Sequence, residues 1–268
     1  MYDGPIIDIH AHIRLGDADK VDDSHGKGVK PLVEAVRVDN VRHATAIVIA
    51  MRDDPATSAK NDGALAAGPD SGDFLIPVVS VHPYDGAAAL TELDRVAAAG
   101  ARMLKLHPNT QRLDVSDDEV AAVVRRAGEH GMVVLFDGWS PFDANQPGKF
   151  AWLAISCPET RMILAHLNGP SFPQLLMYST VERYPWWPGT IYHDLSVTAE
   201  MFADSPYAEQ LTWVIRTIGT HRVLYGSDWP LCDPATALAA VRSLGFTDDE
   251  QRQILHDNAA GLLNLDQG

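Results

Sequence analysis

The chain has 268 residues, and its 36 Asp and Glu against 21 Lys and Arg give a formal charge of −15, which repels nucleic acid and anionic membrane surfaces. No stretch approaches the roughly 20 apolar residues of a membrane span, and the N-terminus lacks the basic and apolar regions of a signal peptide. With 2 cysteines there is no disulfide framework and no cysteine-based zinc motif, so we expect a cytoplasmic protein without nucleic-acid or membrane partners.

Short apolar or β-branched runs, typical of buried strands, recur along the chain. They cover residues 5–10, 44–51, 74–82, 101–107, 132–137, 161–166, 190–196 and 222–228. Ala/Leu-rich stretches with helical spacing lie between them, such as 86–100 and 116–131. In the second stretch, Ser116 and Glu119 predict a capping box and Gly131 predicts the end of the helix.

Strands that alternate with helices indicate βα units and a parallel sheet. Eight such units in roughly 250 residues match a single-domain α/β fold, the (β/α)₈ or TIM barrel, which we expect to include residues 1–268. An open doubly wound sheet is the alternative. It would more often have a glycine-rich turn after the first strand, where this chain has HAHIRLG instead of GxGxxG.

A (β/α)₈ barrel carries its active site at the carboxyl ends of its strands. Ionisable side chains are concentrated at the predicted strand ends. They are His10, His12, His82, Lys105, His107, Asp137, His166, His193, Asp194 and Asp228.

His10 and His12 are two residues apart at the end of the first strand, so both rings should point into the barrel mouth. Asp228 ends the eighth strand, which lies beside the first once the barrel closes. Two neutral imidazoles and a carboxylate are typical ligands of a divalent metal. The structural alternatives are two hydrogen-bonded histidines at a strand end, and an Asp228 that caps a helix starting at Pro230.

His166, at the end of the sixth strand, is a candidate for proton transfer next to a metal, although it could equally be a histidine bonded to the backbone. Lys105 and His107 share one face of the fourth strand. A lysine in the barrel mouth needs an anion, for which Asp137, Asp228 and the substrate are the candidates.

The segments around these residues resemble the amidohydrolase superfamily from about residue 6 to residue 265. The motifs are DIHAH (8–12), KLHP (105–108), AHLNG (165–169), YHDLS (192–196), LYGSDWP (224–230) and ILHDNAAGLL (254–263). More narrowly, they resemble the amidohydrolase-related (amidohydrolase 2) family, which includes aminocarboxymuconate semialdehyde decarboxylase, resorcylate decarboxylases and dicarboxypyrone lactonase.

The resemblance implies a barrel with one divalent metal, most often zinc, bound by His10, His12 and Asp228, and with His166 as acid and base. Members of the family usually carry a metal-binding histidine at the end of the fifth strand, where this chain has Asp137. We expect Asp137 to replace that histidine as a ligand, which would also suit manganese. The alternatives are that His107 binds the metal or that the site works without one.

Lysine at the end of the fourth strand is carboxylated in some amidohydrolases and then bridges two metals. One metal is the better prediction for this chain, because the usual second-metal ligands are not both histidine. Lys105 is then expected to bind a substrate carboxylate or to pair with Asp137, and His107 and Arg14 are further candidates for substrate binding.

Tyr184, Trp186 and Trp187 lie in the long connection after the sixth predicted strand. If this loop overhangs the barrel mouth, the aromatic side chains could stack on a planar or cyclic substrate. The alternative is that they pack against the barrel wall or a neighbouring subunit.

These residues together predict a metal-dependent hydrolase of a small amide, imide or lactone, in which metal-activated water loses its proton to Asp228 or His166. The main alternative is a non-oxidative decarboxylase of a small aromatic or unsaturated carboxylic acid. A third interpretation is a metal-free binding or scaffold protein. The expected partners are an anionic or cyclic small molecule and, as for many such barrels, a second copy of the chain.

Overall fold

The structure is a computed structural model that describes residues 2–16 and 25–265. Among these residues, eight parallel strands form one sheet in which each strand pairs with the next along the chain. The strands are β1 (Ile6–Asp8), β2 (Val41–Ile47), β3 (Leu75–Ser80), β4 (Met103–Leu106), β5 (Val133–Phe136), β6 (Met162–Leu164), β7 (Ile191–Asp194) and β8 (Val223–Leu224).

Helices follow the strands and pack around the outside of the sheet. The α-helices are α1 (Val29–Val36), α2 (Thr57–Asp70), α3 (Ala87–Ala98), α4 (Pro108–Gln111), α5 (Asp118–Glu129), α6 (Gln146–Ser156), α7 (Leu176–Val181), α8 (Thr198–Phe202), α9 (Ala208–Ile218), α10 (Pro234–Ser243), α11 (Asp248–Arg252) and α12 (Asn258–Leu263). Short 3₁₀ helices cover Pro83–Asp85 and Thr220–Arg222, the segment Ala165–Leu175 contains 3₁₀ turns interrupted by non-helical residues, and a π-helical turn covers Gln253–Asp257.

The chain segments after β1 and β8 close the sheet into a barrel. The amide of Ile9 donates to the carbonyl of Tyr225 at 3.1 Å, and the amide of His12 donates to the carbonyl of Trp229 at 2.8 Å. The sequential strand order and this closure confirm the predicted (β/α)₈ barrel. They exclude the open doubly wound sheet, which has two free edges.

The barrel interior is packed with apolar side chains, as expected for a barrel of eight strands. They include Ile7, Ile9, Ile47, Val78, Met103, Val133, Leu135, Ile163 and Leu224. Helix α12 adds Leu262 and Leu263 to the same cluster. Arg102 and Arg161, just before β4 and β6, donate to the carbonyls of Leu263 and Leu262. Helix α12 therefore closes the amino end of the barrel.

A second apolar layer lies between the strands and the outer helices. Phe136 on β5 contacts Phe150 on α6 edge to face, with 5.1 Å between ring centroids. Because the strands are buried on both faces, their sequences are continuous apolar runs rather than alternating patterns. This packing fixes the strands rigidly and leaves their carboxyl ends to carry the polar residues.

Helix α5 departs from the predicted capping. The N-cap residue is Asp117, without a side-chain capping hydrogen bond, so the predicted capping box is wrong. The hydroxyl of Ser116 instead donates to Asp114 at 2.6 Å, because a turn before the helix brings that carboxylate closer. A capping box does form at α11, between Thr247 and Glu250.

Cys157 and Cys232 are both free thiols. No helix within 2–16 and 25–265 is long and apolar enough to cross a membrane.

Candidate active site

The carboxyl ends of the strands surround a cavity of about 900 Å³. Its ionisable lining includes most of the side chains that the sequence placed at strand ends. They are His10, His12, Lys105, His107, Asp137, His166 and Asp228, together with Arg14. The residues predicted for metal binding and proton transfer therefore share one cavity.

His10, His12 and Asp228 lie close enough to bind one metal ion. Oδ1 of Asp228 is 3.4 Å from Nε2 of His10 and 3.5 Å from Nε2 of His12, and the three ligand atoms lie within 4.8 Å of one another. Gly226 permits this approach, because a Cβ at that position would lie 2.7 Å from Cβ of His10. Asp228 itself has the left-handed φ of 60°, which is uncommon for aspartate and typical of functional sites.

Asp194 orients the ring of His10. Nδ1 of His10 lies 3.0 Å from Oδ2 of Asp194, and a carboxylate can only accept, so we assign the proton to Nδ1. Burial lowers the pKa of His10, and it lowers the pKa of His12 to about 4, so both rings are neutral at pH 7. The lone pair of His10 Nε2 then faces Asp228. Asp194 holds the other ring nitrogen, Nδ1, as carboxylates do for the histidine ligands of known metal sites.

Lys105 lies beside this group in a buried position, 1% exposed. Its Nζ donates to Nε2 of His10 at 3.2 Å. Burial lowers the pKa of Lys105, whereas the charges of Asp137, Asp228 and Asp194 act in the opposite direction. Lys105 thus places its amine beside the metal-ligand candidates.

Asp137 bridges two histidines at the floor of the cavity. Its Oδ2 lies 2.9 Å from Nδ1 of His107 and its Oδ1 lies 3.6 Å from Nε2 of His166. Burial alone would raise the pKa of Asp137, but the hydrogen bond from His107 and the charges of His107, His166 and Lys105 hold it well below its usual range. The fourth-ligand role of Asp137 stays a prediction, since its closest histidine partner is His107.

His166 is positioned by an unusual backbone. His166, Leu167 and Asn168 have φ angles of 65°, 43° and 59°, a left-handed run that costs energy in L-residues. The amide of His166 donates to Oδ1 of Asp194 at 3.0 Å, which helps to hold the turn. The His166 ring stacks on the ring of His10, with 5.1 Å between centroids.

Asp194 and Ser196 contribute to the site, although the sequence analysis gave them no role. The Ser196 hydroxyl donates to Oδ1 of Asp194 and lies 3.0 Å from Nδ1 of His166, so it links the two residues. His10, His166 and Asp194 also form a second group of potential metal ligands. The signal for both residues was their spacing of two at the end of β7.

Asp8 is a further buried carboxylate that the sequence analysis did not assign. Its Oδ1 accepts from the amides of His10 at 3.1 Å and Ser227 at 2.9 Å. Burial raises the pKa of Asp8 to about 7. Asp8 thereby ties the segment that carries His10 to the segment that carries Asp228.

His82 and His193 end strands but do not line the cavity. Nε2 of His82 bonds to the carbonyl of Gln111 at 2.9 Å, which is a structural role. His193 points away from the barrel interior and packs on Tyr178, with 5.4 Å between ring centroids. Successive side chains of a strand point to opposite faces, so His193 points outward whereas its neighbour Asp194 points inward and reaches His10.

Trp186 and Trp187 are not brought to the cavity. Trp187 packs on Tyr178, and together with Ile191 and Arg222 it lines a small pocket at the amino ends of β7 and β8. Trp186 is half exposed and stacks on Tyr184. Because Ile191 begins β7 and Arg222 directly precedes β8, this pocket and Trp187 lie at the opposite end from the mouth.

The aromatic side chain at the mouth is Trp139, which directly follows β5 and Asp137. The cavity lining also contains aliphatic side chains and polar ones such as Asp54, Lys60 and Asn109. The aliphatic ones include Ile13, Val48, Met51, Met201 and Leu231. The cavity therefore combines ionisable and apolar surfaces, which suits a small molecule with polar and apolar parts.

The sequence matches the family model Amidohydro_2, described as amidohydrolase, over residues 7–265. None of the curated proteins matches the sequence.

Solved structures with the same fold extend over almost the whole chain. The 5-carboxyvanillate decarboxylase of Sphingomonas paucimobilis has a TM-score of 0.72 at 13% identity, over 98% of this chain and 99% of its own. A candidate 2-pyrone-4,6-dicarboxylic acid hydrolase of Pseudomonas putida has a TM-score of 0.71 at 18% identity, over 98% of each chain.

A third structure is the 5-carboxyvanillate decarboxylase of Novosphingobium aromaticivorans, complexed with manganese and 4-hydroxy-3-methoxy-5-nitrobenzoic acid. It has a TM-score of 0.70 at 13% identity, over 97% of this chain and 96% of its own. At such identities the likeness shows the fold alone.

Proposed function

Because the chain belongs to the amidohydrolase family, we propose that it is a metal-dependent hydrolase of a small amide, imide or lactone. The observation that carries this proposal is the position of Asp228. Its carboxylate lies within 3.5 Å of two neutral imidazoles and lines an open cavity, so it can act both as a ligand and as a base.

The donor set of His10, His12 and Asp228 fits a divalent cation. Two imidazole nitrogens and one carboxylate oxygen suit zinc, and the manganese in the related decarboxylase favours testing that ion as well. When bound, such an ion supplies a Lewis acid that polarises a carbonyl group and lowers the pKa of water. Asp137 is the candidate for a fourth ligand.

The residues around the metal site can move protons and bind substrate. Asp228 would accept a proton from the attacking water, because its interactions with His10, His12 and His166 hold the pKa of this carboxyl below its usual range despite burial. His166, which lines the same cavity, would donate a proton to the leaving atom. Arg14, Lys105 and His107 would bind the anionic part of the substrate.

A non-oxidative decarboxylase is the second candidate. Arg14, Lys60 and Lys105 give the cavity three basic side chains, and Trp139 adds an aromatic wall, which together would suit an aromatic carboxylate. The carboxylate would leave as CO₂, and the carbon atom would take a proton from His166. The related decarboxylases support this candidate by fold only.

The mass of the product separates the two reactions. The zinc- or manganese-loaded protein is incubated with panels of lactones, cyclic imides, amides and hydroxybenzoates, and products are identified by mass spectrometry with trapping of CO₂. A product that has gained one water supports the hydrolase. Release of CO₂ with loss of one carbon from the substrate contradicts it and supports the decarboxylase.

His10→Ala is the control for both reactions. It should lose bound metal and activity together, as judged by elemental analysis and the same product assay. Full activity in a variant that binds no metal would contradict a metal-dependent mechanism of either kind.

A further inference from the structure

We propose that Lys105 competes with the metal ion for His10, and that Asp137 accepts the lysine side chain when the metal binds. The inference rests on the metal site proposed above. It gives Lys105 and Asp137 a shared role, the control of metal affinity.

The competition follows from the single lone pair of His10 Nε2. Since Nδ1–H of His10 donates to Asp194, Nε2 is the acceptor nitrogen of the ring. That lone pair accepts from Nζ of Lys105 at 3.2 Å, and it is also the one that faces Asp228. A metal ion bound by His10 Nε2 must therefore break the hydrogen bond from Lys105, whatever the charge on the amine.

Lys105 cannot simply turn into solvent, because it is 1% exposed. Its neighbouring carboxylates are Asp137, Asp228 and Asp194. Asp228 would be engaged by the metal and Asp194 is engaged by His10. Asp137 remains as the carboxylate for the displaced amine.

The strand register supports this movement. Lys105 on β4 is the register partner of Leu135 on β5, and Asp137 follows two residues later on the same face. Both side chains line the cavity. An aspartate at the end of the fifth strand thus provides a negative charge beside a lysine that has to leave the metal position.

Metal affinity tests the competition directly. Protein stripped with a chelator and dialysed is titrated with Zn²⁺ and Mn²⁺ against a chromophoric chelator, as wild type and as Lys105→Met. We expect the variant to bind each ion about tenfold more tightly or better, because a competing donor and a buried positive charge are removed. Equal or weaker binding overturns the proposal.

Lys60→Met is the matched control. Lys60 lines the same cavity and pairs with Asp54 at 3.0 Å, but it is not a partner of His10. We expect the metal affinity of this variant to stay within about twofold of wild type, since the charge of Lys60 is paired with that of Asp54. An equal gain in Lys60→Met would mean that the net charge of the cavity, rather than the lone pair of His10, controls affinity, and this would also overturn the proposal.

A double-mutant cycle with Asp137→Asn tests the second half of the proposal. In the wild-type background Asp137→Asn should weaken metal binding, because Lys105 loses its alternative partner. In the Lys105→Met background the same change should have little effect. If Asp137→Asn weakens binding equally in both backgrounds, Asp137 acts as a metal ligand and not as the acceptor of Lys105.

The metal-induced increase in thermal unfolding temperature gives a second readout, which should be larger in Lys105→Met than in wild type. Circular dichroism without metal shows whether each variant is folded. If neither wild type nor Lys105→Met binds either ion, the proposed metal site itself fails and the inference with it. If both bind equally, only the inference fails.

Discussion

The amino end of the barrel is closed by apolar side chains, whereas the carboxyl end is open and ionisable, although the same strands build both ends. On β4 the inward-facing residues are Met103 and then Lys105, and on β5 they are Val133, Leu135 and then Asp137. On each of these strands, the last apolar residue of the packed interior and the first ionisable residue of the floor are therefore only two positions apart. The difference suggests that one end of each strand provides stability and the other provides chemistry.

The backbone does not follow the same division. The left-handed residues His166 to Asn168 and Asp228 lie at the carboxyl end, but Asp39 and Asp73, which precede β2 and β3 at the amino end, are left-handed as well. The two ends therefore differ in buried charge, which the carboxyl end carries on side chains such as Lys105 and Asp137, and not in backbone strain.

Asp228→Asn should have the largest effect, a loss of activity of about 10³-fold, because the base and one metal ligand are removed together. Product formation measures the loss, and circular dichroism without metal should show that the variant is still folded. A variant that no longer folds would contradict the division between the two ends.

Leu263→Ala should show the reverse behaviour. Leu263 on α12 is buried in the barrel interior, and its truncation should lower the free energy of unfolding by about 2–5 kcal/mol while kcat/KM stays the same. Leu231→Ala is the matched control at the mouth, where the side chain is 72% exposed, and it should change stability by less than about 0.5 kcal/mol. Denaturant titration compares the two variants, and equal losses would contradict the comparison.

His193→Gln should alter the pH dependence of stability. Burial lowers the pKa of His193 to about 3, whereas the unfolded chain has a pKa of about 6.5. Between these values the unfolded state binds more protons, so the stabilising effect of neutral His193 is present above pH 6.5 and is lost as the pH falls toward 3.

The fall in unfolding free energy from pH 7 to pH 5 should thus be smaller in His193→Gln by about 2 kcal/mol. Urea titrations at both pH values measure the difference. Parallel pH profiles in the two proteins would show that burial of His193 does not contribute to the pH dependence of stability.

Asp233→Ala should have the smallest effect. Asp233 is the N-cap of α10, and its Oδ2 accepts from the amide of Thr236 at 2.9 Å. Loss of this cap should cost about 1 kcal/mol of stability and leave the reaction unaffected, although Asp228 is only five residues away. Asp233→Asn, which can still cap the helix, should behave as wild type in the same unfolding assay.

The barrel and most of the residues on its floor could be predicted, because the spacing of apolar residues and the ionisable residues at the ends of apolar runs can be read from short stretches of sequence. Apolar runs that end in ionisable residues gave the strands and the cavity residues His10, His12, Lys105 and Asp228. Observed strands are shorter than the predicted ones, for example Val223–Leu224 against residues 222–228, since hydrogen-bond pairing ends before the side-chain pattern does.

Partnerships between side chains could not be predicted in the same way. The pairing of Asp137 with His107 and of Lys105 with His10 depends on the path of each loop and on rotamers, which leave no periodic signal. Trp186 and Trp187 lie away from the cavity for a similar reason. The path of the connection between α7 and β7 decides where these residues lie, and such a path leaves no periodic signal in the sequence.

The closure of the barrel also bears on how the protein is made. Asp8 and Ser227, which are joined by a hydrogen bond, are 219 positions apart, and the segments that they hold carry His10 and Asp228. A chain that is still bound to the ribosome cannot bring His10 and His12 together with Asp228 until its eighth strand has emerged, and contacts over such a separation form late. Binding of a metal by His10, His12 and Asp228 would therefore require a completely folded barrel, so that a stalled or truncated chain would lack the site.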